Sequence, residues 1–354
     1  MTMSKHTILP LLLLTALTSA LPQGSQSSTD PSPEECSAPG TSITNTQSDA
    51  PHGLFQISHR DAPEGGAVDN SEYIYHPNAG LGTCAISIDT GINPTHNEYA
   101  DRVLQLWDCI GAGSAGTAED DFGCERVTEE SDKYVNFDGN GHGTHTAGTM
   151  VGTKYGVAKK ANLIGVRVLS AEGSGSTNDI AAAVKLATKL HNDLVTPTGP
   201  CPRGAVVNLS LGTGLLGTFL SNSAGKDVVN AAADAGLFCA IAAGNSDSYA
   251  GFASPANALK ACTVGALDAE NKKSCFSNYG DVVDVHAAGE GVLSAFKGAN
   301  DATVSLNTPH VPHANFFGPV TNIGSSAPGR SVRYIHGSTP RRRSSSLPEI
   351  PLHR

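Results

Sequence analysis

The chain has no run of 18 consecutive apolar residues, which excludes a helix long enough to cross a bilayer. Aromatic residues make up only 5% of its 354 residues and tryptophan occurs once, a balance that suits a compact α/β fold with many tight backbone approaches. The 39 glycines suit such packing. Basic residues are scarce as well: 23 Lys plus Arg face 33 Asp plus Glu, for a net charge of −10. An acidic body is poorly matched to nucleic-acid phosphates. The imbalance is uneven, because residues 312–354 carry six arginines against the single acid Glu349, leaving −15 elsewhere once that +5 is set aside from −10. Such a basic end reads as a solvated tail. Internal repeats are lacking too, which removes solenoids and propellers.

What is present fits one large α/β domain with appendages, and nothing in the length requires two. Lys5, the apolar run 8–14 and the small-residue ending Thr18-Ser19-Ala20 have the order of a secretory signal cleaved after Ala20, so an extracellular protein is expected. Residues 21–49 are rich in Ser, Thr, Pro and Gln, which predicts a disordered, short pro-like segment with order beginning near Ala50. Eight cysteines in an exported chain predict disulfides. Cys109 and Cys124 bracket a Gly/Ala/Ser-rich insertion and form the expected local pair, a closure worth about 3 kcal/mol; two free buried thiols are the alternative.

From residue 50 onward, apolar runs alternate with helical patterns. Residues 85–88, 163–169, 205–211, 237–242 and 262–267 read as buried strands, and their continuous apolarity implies a parallel sheet covered on both faces. Ser176-Thr177-Asn178-Asp179 supplies caps for a helix over 180–191, and 222–235 forms an Ala-rich helix. This alternation predicts a doubly wound, mostly parallel sheet with helices on both faces.

Chemistry concentrates at two places. Gly141-His142-Gly143-Thr144-His145 sets a histidine between glycines at the start of a helical run, where another backbone or a substrate can approach closely. Upstream, the strand 84–88 ends in Asp89-Thr90-Gly91. A carboxylate that orients an imidazole is the acid–base half of a hydrolytic triad. Each residue also has a plain structural reading, Asp89 as a turn cap and His142 as a satisfied core histidine. Asp-Thr-Gly occurs once only, whereas an aspartic protease needs two such carboxylates. His142 and His145 lack the intervening glutamate of a zincin helix. Asn208-Leu209-Ser210 is formally a glycosylation sequon, set within an apolar strand.

The order of Asp89 and His142, with Tyr155-Gly156-Val157-Ala158 following and Ala242-Ala243-Gly244-Asn245 further on, resembles the subtilisin-like serine proteases and their proteinase K-like branch over residues 50–311. The resemblance implies a subtilisin-like fold and a secreted, monomeric endopeptidase that hydrolyses protein or peptide substrates. It implies no required cofactor and no nucleic-acid or membrane partner. Asp89 would orient His142, His142 would act as general base, and Asn245 would bind the oxyanion. Substrate would lie extended between Gly173-Ser174-Gly175 and Ser210-Leu211-Gly212. A Cys84–Cys201 disulfide, an unpaired Cys262, and a structural calcium on Asp284 with the carbonyls of Leu259 and Ala261 follow from the same likeness.

The pattern breaks near the C-terminus. The Gly-Thr-Ser-Met-Ala segment that supplies the family's nucleophile is absent, although the Thr308-Pro309-His310-Val311 that should follow it is present. Counting back from His310 leaves Ser305 as the candidate nucleophile. After Val311 the prolines 312, 319 and 328 break the helix that should follow, so the domain is expected to be C-terminally incomplete and to end in a divergent Ser/Pro/Arg-rich tail. Loss of the nucleophile makes a noncatalytic, peptide-binding protein the alternative to an enzyme. The abrupt change has the character of a shifted reading frame or a missed splice.

Overall fold

A computed structural model describes residues 44–61, 65–112, 122–212 and 224–306. In chain order the strands and helices are β1 (Asn45–Ala50), α1 (His52–Ser58), β2 (Ser71–Tyr75), β3 (Cys84–Asp89), β4 (Val103–Asp108), β5 (Glu125–Val127), α2 (His142–Val151), β6 (Asn162–Arg167), α3 (Thr177–Leu194), β7 (Ala205–Leu209), α4 (Ala224–Asp234), β8 (Phe238–Ala242), β9 (Cys262–Leu267), β10 (Val285–Ala288), β11 (Val292–Ala295) and β12 (Thr303–Leu306). Eight of these strands form one sheet in the order β10-β9-β8-β7-β3-β6-β4-β5. All its pairings are parallel except that of β4 with β5.

The continuous apolar runs are explained by burial of both sheet faces. Side chains alternate across a strand, so Ile86 and Ile88 of β3 join Ile164, Val166, Val207 and Ile241 on one face, against Val184 and Leu186 of α3 and Val229 of α4. Ala85 points to the other face with Leu163, Val206 and Ala240, against Ala147 and Met150 of α2. The doubly wound arrangement read from the sequence is therefore present. Helix α3 extends beyond the expected 180–191 at both ends and begins at Thr177 because Ser176 is its N-cap, the Ser176 hydroxyl accepting from the Asp179 amide at 3.1 Å.

Both predicted disulfides form, Cys84–Cys201 and Cys109–Cys124. Cys262 is a free thiol, as are Cys239 and Cys275. Burial pushes the thiols of Cys239 and Cys262 up to about 12, which leaves them unreactive at neutral pH. The sequon asparagine, Asn208, is 1% exposed inside β7 and cannot receive a glycan.

Order begins earlier than the composition suggested. Residues 45–49 belong to β1, which pairs antiparallel with β2. Its sequence, NTQSDA, has no apolar alternation to reveal a strand. Long-range contacts hold it: the Gln47 amide donates to the Lys154 carbonyl at 3.1 Å, Asp49 pairs with Lys154 at 2.9 Å, and Ala50 is fully buried. The expected signal at 1–20, the part of the expected disordered segment over 21–43, the motif Thr308-Pro309-His310-Val311, and the expected C-terminal break of the domain with its tail 312–354 lie outside the described residues.

Candidate active site

Parallel topology gathers the site before any side chain is considered. The C-terminal ends of β6, β3, β7 and β8, neighbours in the order β8-β7-β3-β6, lead respectively into Gly173-Ser174-Gly175, Asp89, Ser210-Leu211-Gly212 and Asn245. Ligands of doubly wound sheets sit at this edge.

Asp89 and His142, 53 residues apart in sequence, meet here: His142 Nδ1 lies 2.7 Å from Asp89 Oδ1. Asp89 is fully buried and His142 is 5% exposed. A carboxylate oxygen can only accept, so the imidazole proton sits on Nδ1 and Nε2 is left as the basic nitrogen. The Thr90 amide also donates to Asp89 Oδ1 at 2.7 Å, and the Thr146 hydroxyl reaches Oδ2 at 3.2 Å. These donors fix the carboxylate plane. Helix α2 comes this close because residue 143 is glycine. A Cβ there would lie 1.9 Å from the Gly91 carbonyl oxygen and 3.1 Å from Asp89 Cβ.

His145, one turn along α2, has a different job. Its Nε2 donates to the Val292 carbonyl at 2.9 Å, and its own carbonyl accepts from the Ser294 hydroxyl at 2.9 Å, which ties α2 to β11. Among the described residues no group of three His, Cys, Asp or Glu side chains could hold a metal ion.

Asn245 follows Gly244, whose φ of +102° favours glycine. The turn around it is clasped by Asn278, a residue with no motif to mark it in the sequence. The Asn278 side chain donates to the Ala243 carbonyl at 2.9 Å and accepts from the amides of Ser246 and Ser248 at 2.9 and 3.1 Å. Its backbone amide donates to the Gly244 carbonyl at 2.9 Å. Asn278 is 3% exposed, and its only sequence signal is an amide within the polar stretch Ser274 to Asn278.

Of the two groove segments, Gly173-Ser174-Gly175 is exposed and turned by a Ser170 amide to Ser174 carbonyl bond of 2.8 Å. Ser210 and Leu211 are buried and Gly212 is exposed, the Ser210 hydroxyl lying 2.7 Å from the Asn208 amide. Ser305 is an exposed residue of β12, opposite Leu293 of β11, and its hydroxyl donates to the Gly291 carbonyl at 2.9 Å. Asp284 Oδ2 accepts from the Thr263 amide at 2.8 Å, which seats the carboxylate at the start of β9, two residues beyond Ala261.

Comparison with known proteins bears on the family and the fold. Residues 83–322 match the family described as the subtilase family. The chain is 39% identical over 268 residues to the subtilisin-like serine protease AsES of Sarocladium strictum, spanning 76% of this chain and 59% of that protein. It is 37% identical over 292 residues to cerevisin of Saccharomyces cerevisiae, spanning 82% and 41% respectively. The crystal structure of a cold adapted subtilisin-like serine proteinase superposes with a TM-score of 0.58 at 32% identity, covering 76% of this chain and 81% of that one. The matches thus span 59 and 41% of the length of these two curated relatives.

Proposed function

The chain belongs to the subtilase family, and from that premise we propose that it is a secreted serine endopeptidase acting on protein or peptide substrates. The observation that carries this reading is the 2.7 Å hydrogen bond between His142 Nδ1 and Asp89 Oδ1. With Nδ1 committed to Asp89, Nε2 takes the proton of an attacking serine hydroxyl as the hydroxyl oxygen bonds to the scissile carbonyl carbon. Asp89 stabilises the imidazolium that results, and His142 then returns the proton to the leaving amine. The Asn245 amide binds the oxyanion, a contribution of about 3 kcal/mol whose magnitude was established for subtilisin itself. An extended peptide lies as an added strand between 173–175 and 210–212, bound through main-chain hydrogen bonds. Secretion rests on the Lys5, 8–14 and Ala20 pattern. No helix among the described residues is long and apolar enough to cross a membrane.

Ser305 is the nucleophile candidate in this reading. A second reading, noncatalytic peptide binding in the same groove, is favoured by the missing Gly-Thr-Ser-Met-Ala segment and by the bond that holds the Ser305 hydroxyl to Gly291. Treatment of the purified chain with an active-site phosphonate separates the two. Covalent capture at Ser305, abolished by Ser305→Ala, supports the enzyme; peptide binding without capture supports the binder.

We also propose a structural calcium at Asp284 with the carbonyls of Leu259 and Ala261, a set of hard oxygen donors suited to that ion. Calcium at 100 times its Kd would stabilise the fold by about 2.7 kcal/mol. The melting temperature of the native chain should therefore rise with added calcium and fall with EDTA, and both responses should disappear in Asp284→Ala. Identical melting curves with calcium and with EDTA would remove the site.

A further inference from the structure

Asp138 is a buried carboxylate that the proposed chemistry does not use. It is 6% exposed and takes part in no ion pair among the described residues, yet both oxygens are saturated. Oδ1 accepts from the Thr90 hydroxyl at 2.9 Å and from the amides of Asn140 and Gly141 at 3.0 and 2.7 Å. Oδ2 accepts from the Thr144 amide at 2.8 Å and the Thr144 hydroxyl at 2.6 Å. Burying an unpaired carboxylate is costly, and five donors are an expensive arrangement unless the position matters.

Following the donors outward shows what the carboxylate holds. The Gly141 and Thr144 amides belong to the cap and first turn of α2, whose N-cap, Gly141, makes no side-chain cap bond of its own. Thr90 faces the other way. Its hydroxyl proton is committed to Asp138, which turns an oxygen lone pair toward the Gly143 amide at 2.9 Å, while its backbone amide donates to Asp89 Oδ1 at 2.7 Å. One carboxylate thus bonds the turn that carries Asp89 and the helix start that carries His142.

We infer that Asp138, acting through Thr90 and the first turn of α2, is the positioning residue that sets the Asp89–His142 distance. The inference rests on the acid–base reading of that pair. All five partners are donors, so asparagine in place of Asp138 would turn an NH₂ group toward at least two of them. Misplacement by about 1 Å is enough to slow a catalysed step 10²-fold.

The test is proton NMR of the full chain, following the low-field Nδ1–H signal of His142, assigned by its loss in His142→Ala. Wild-type protein should show the signal. In Asp138→Asn, and in Thr90→Val, which removes only the relay hydroxyl, the signal should move upfield and exchange with water at least tenfold faster while the near-UV circular dichroism stays native. Should Asp138→Asn not fold, Thr90→Val carries the test alone. A signal present in the wild type and unchanged in the folded variants overturns this role but leaves the acid–base pair standing. Its absence from the wild type overturns both.

Discussion

Gly143→Ala is expected to destabilise the protein by about 3 kcal/mol, near the upper end of ordinary overpacking costs. The atom that the new Cβ would meet, at 1.9 Å, is the Gly91 carbonyl oxygen, and backbone cannot swing aside as a side chain would. Nor can the Gly91 turn retreat easily. It has φ of +107°, and a Cβ at that position would itself lie 2.2 Å from the Phe137 carbonyl oxygen. Helix α2 must therefore withdraw from β3 by about 1 Å, and the 2.7 Å hydrogen bond from His142 to Asp89 is the first to break. For a domain of this size the melting temperature should fall by roughly 6–12 °C, and the low-field His142 proton signal should vanish. The control is Gly225→Ala in α4, where the new Cβ meets only the movable Ser254 hydroxyl at 2.9 Å. There the helix propensity of alanine, worth about 0.5–1 kcal/mol, should dominate and leave stability unchanged or raised. Equal melting temperatures for the two variants would refute the close-packing account.

The Cys84–Cys201 disulfide is expected to contribute more than Cys109–Cys124, because the loops they close differ in length. The first pair is separated by 117 residues and the second by 15. Loop-closure entropy gives about 5 and about 3 kcal/mol respectively. The longer loop contains α2, β6 and α3, so opening it frees in the unfolded chain the segments that bring His142 and 173–175 to the site. Cys84 is also the first residue of β3, where its amide already donates to the Gly204 carbonyl at 3.0 Å, so the native corner needs little reordering around the bond. The double variant Cys84→Ala/Cys201→Ala should lower the melting temperature by roughly 10–20 °C. The double variant Cys109→Ala/Cys124→Ala should lower it by roughly 6–12 °C. Reversal of that order would show that native packing at the two sites, and not loop length, governs their contributions.

The parts of the site that were legible in the sequence are those whose signal is local. An apolar run ending in Asp89, and a histidine between glycines opening α2, announce a strand end and a helix start within a few residues each. Strand and helix positions were readable because both sheet faces are buried and the apolar runs are unbroken. Strand β1 was not readable, since its hydrophilic residues are held by pairing with β2 and by Lys154. Asp138 and Asn278 were equally hidden. Each is a short polar residue whose effect depends on partners far along the chain: Thr90 lies 48 positions from Asp138, and Ala243 lies 35 from Asn278.

By itself the sequence determined the alternation of strands and helices, the acidic character of the body, the order of the acid and the base, and the loss of the usual nucleophile segment. Composition and hydrophobic periodicity are enough to read the first two, and likeness to the subtilisin-like proteases supplies the others. Only the tertiary structure decided that Asp89 and His142 stand 2.7 Å apart, that a missing Cβ at position 143 permits it, and that Asp138 and Asn278 bond the turns beside Asp89 and Asn245. The reason is geometric: a hydrogen bond forms or fails within a few tenths of an ångström, and such distances exist only once remote segments have packed.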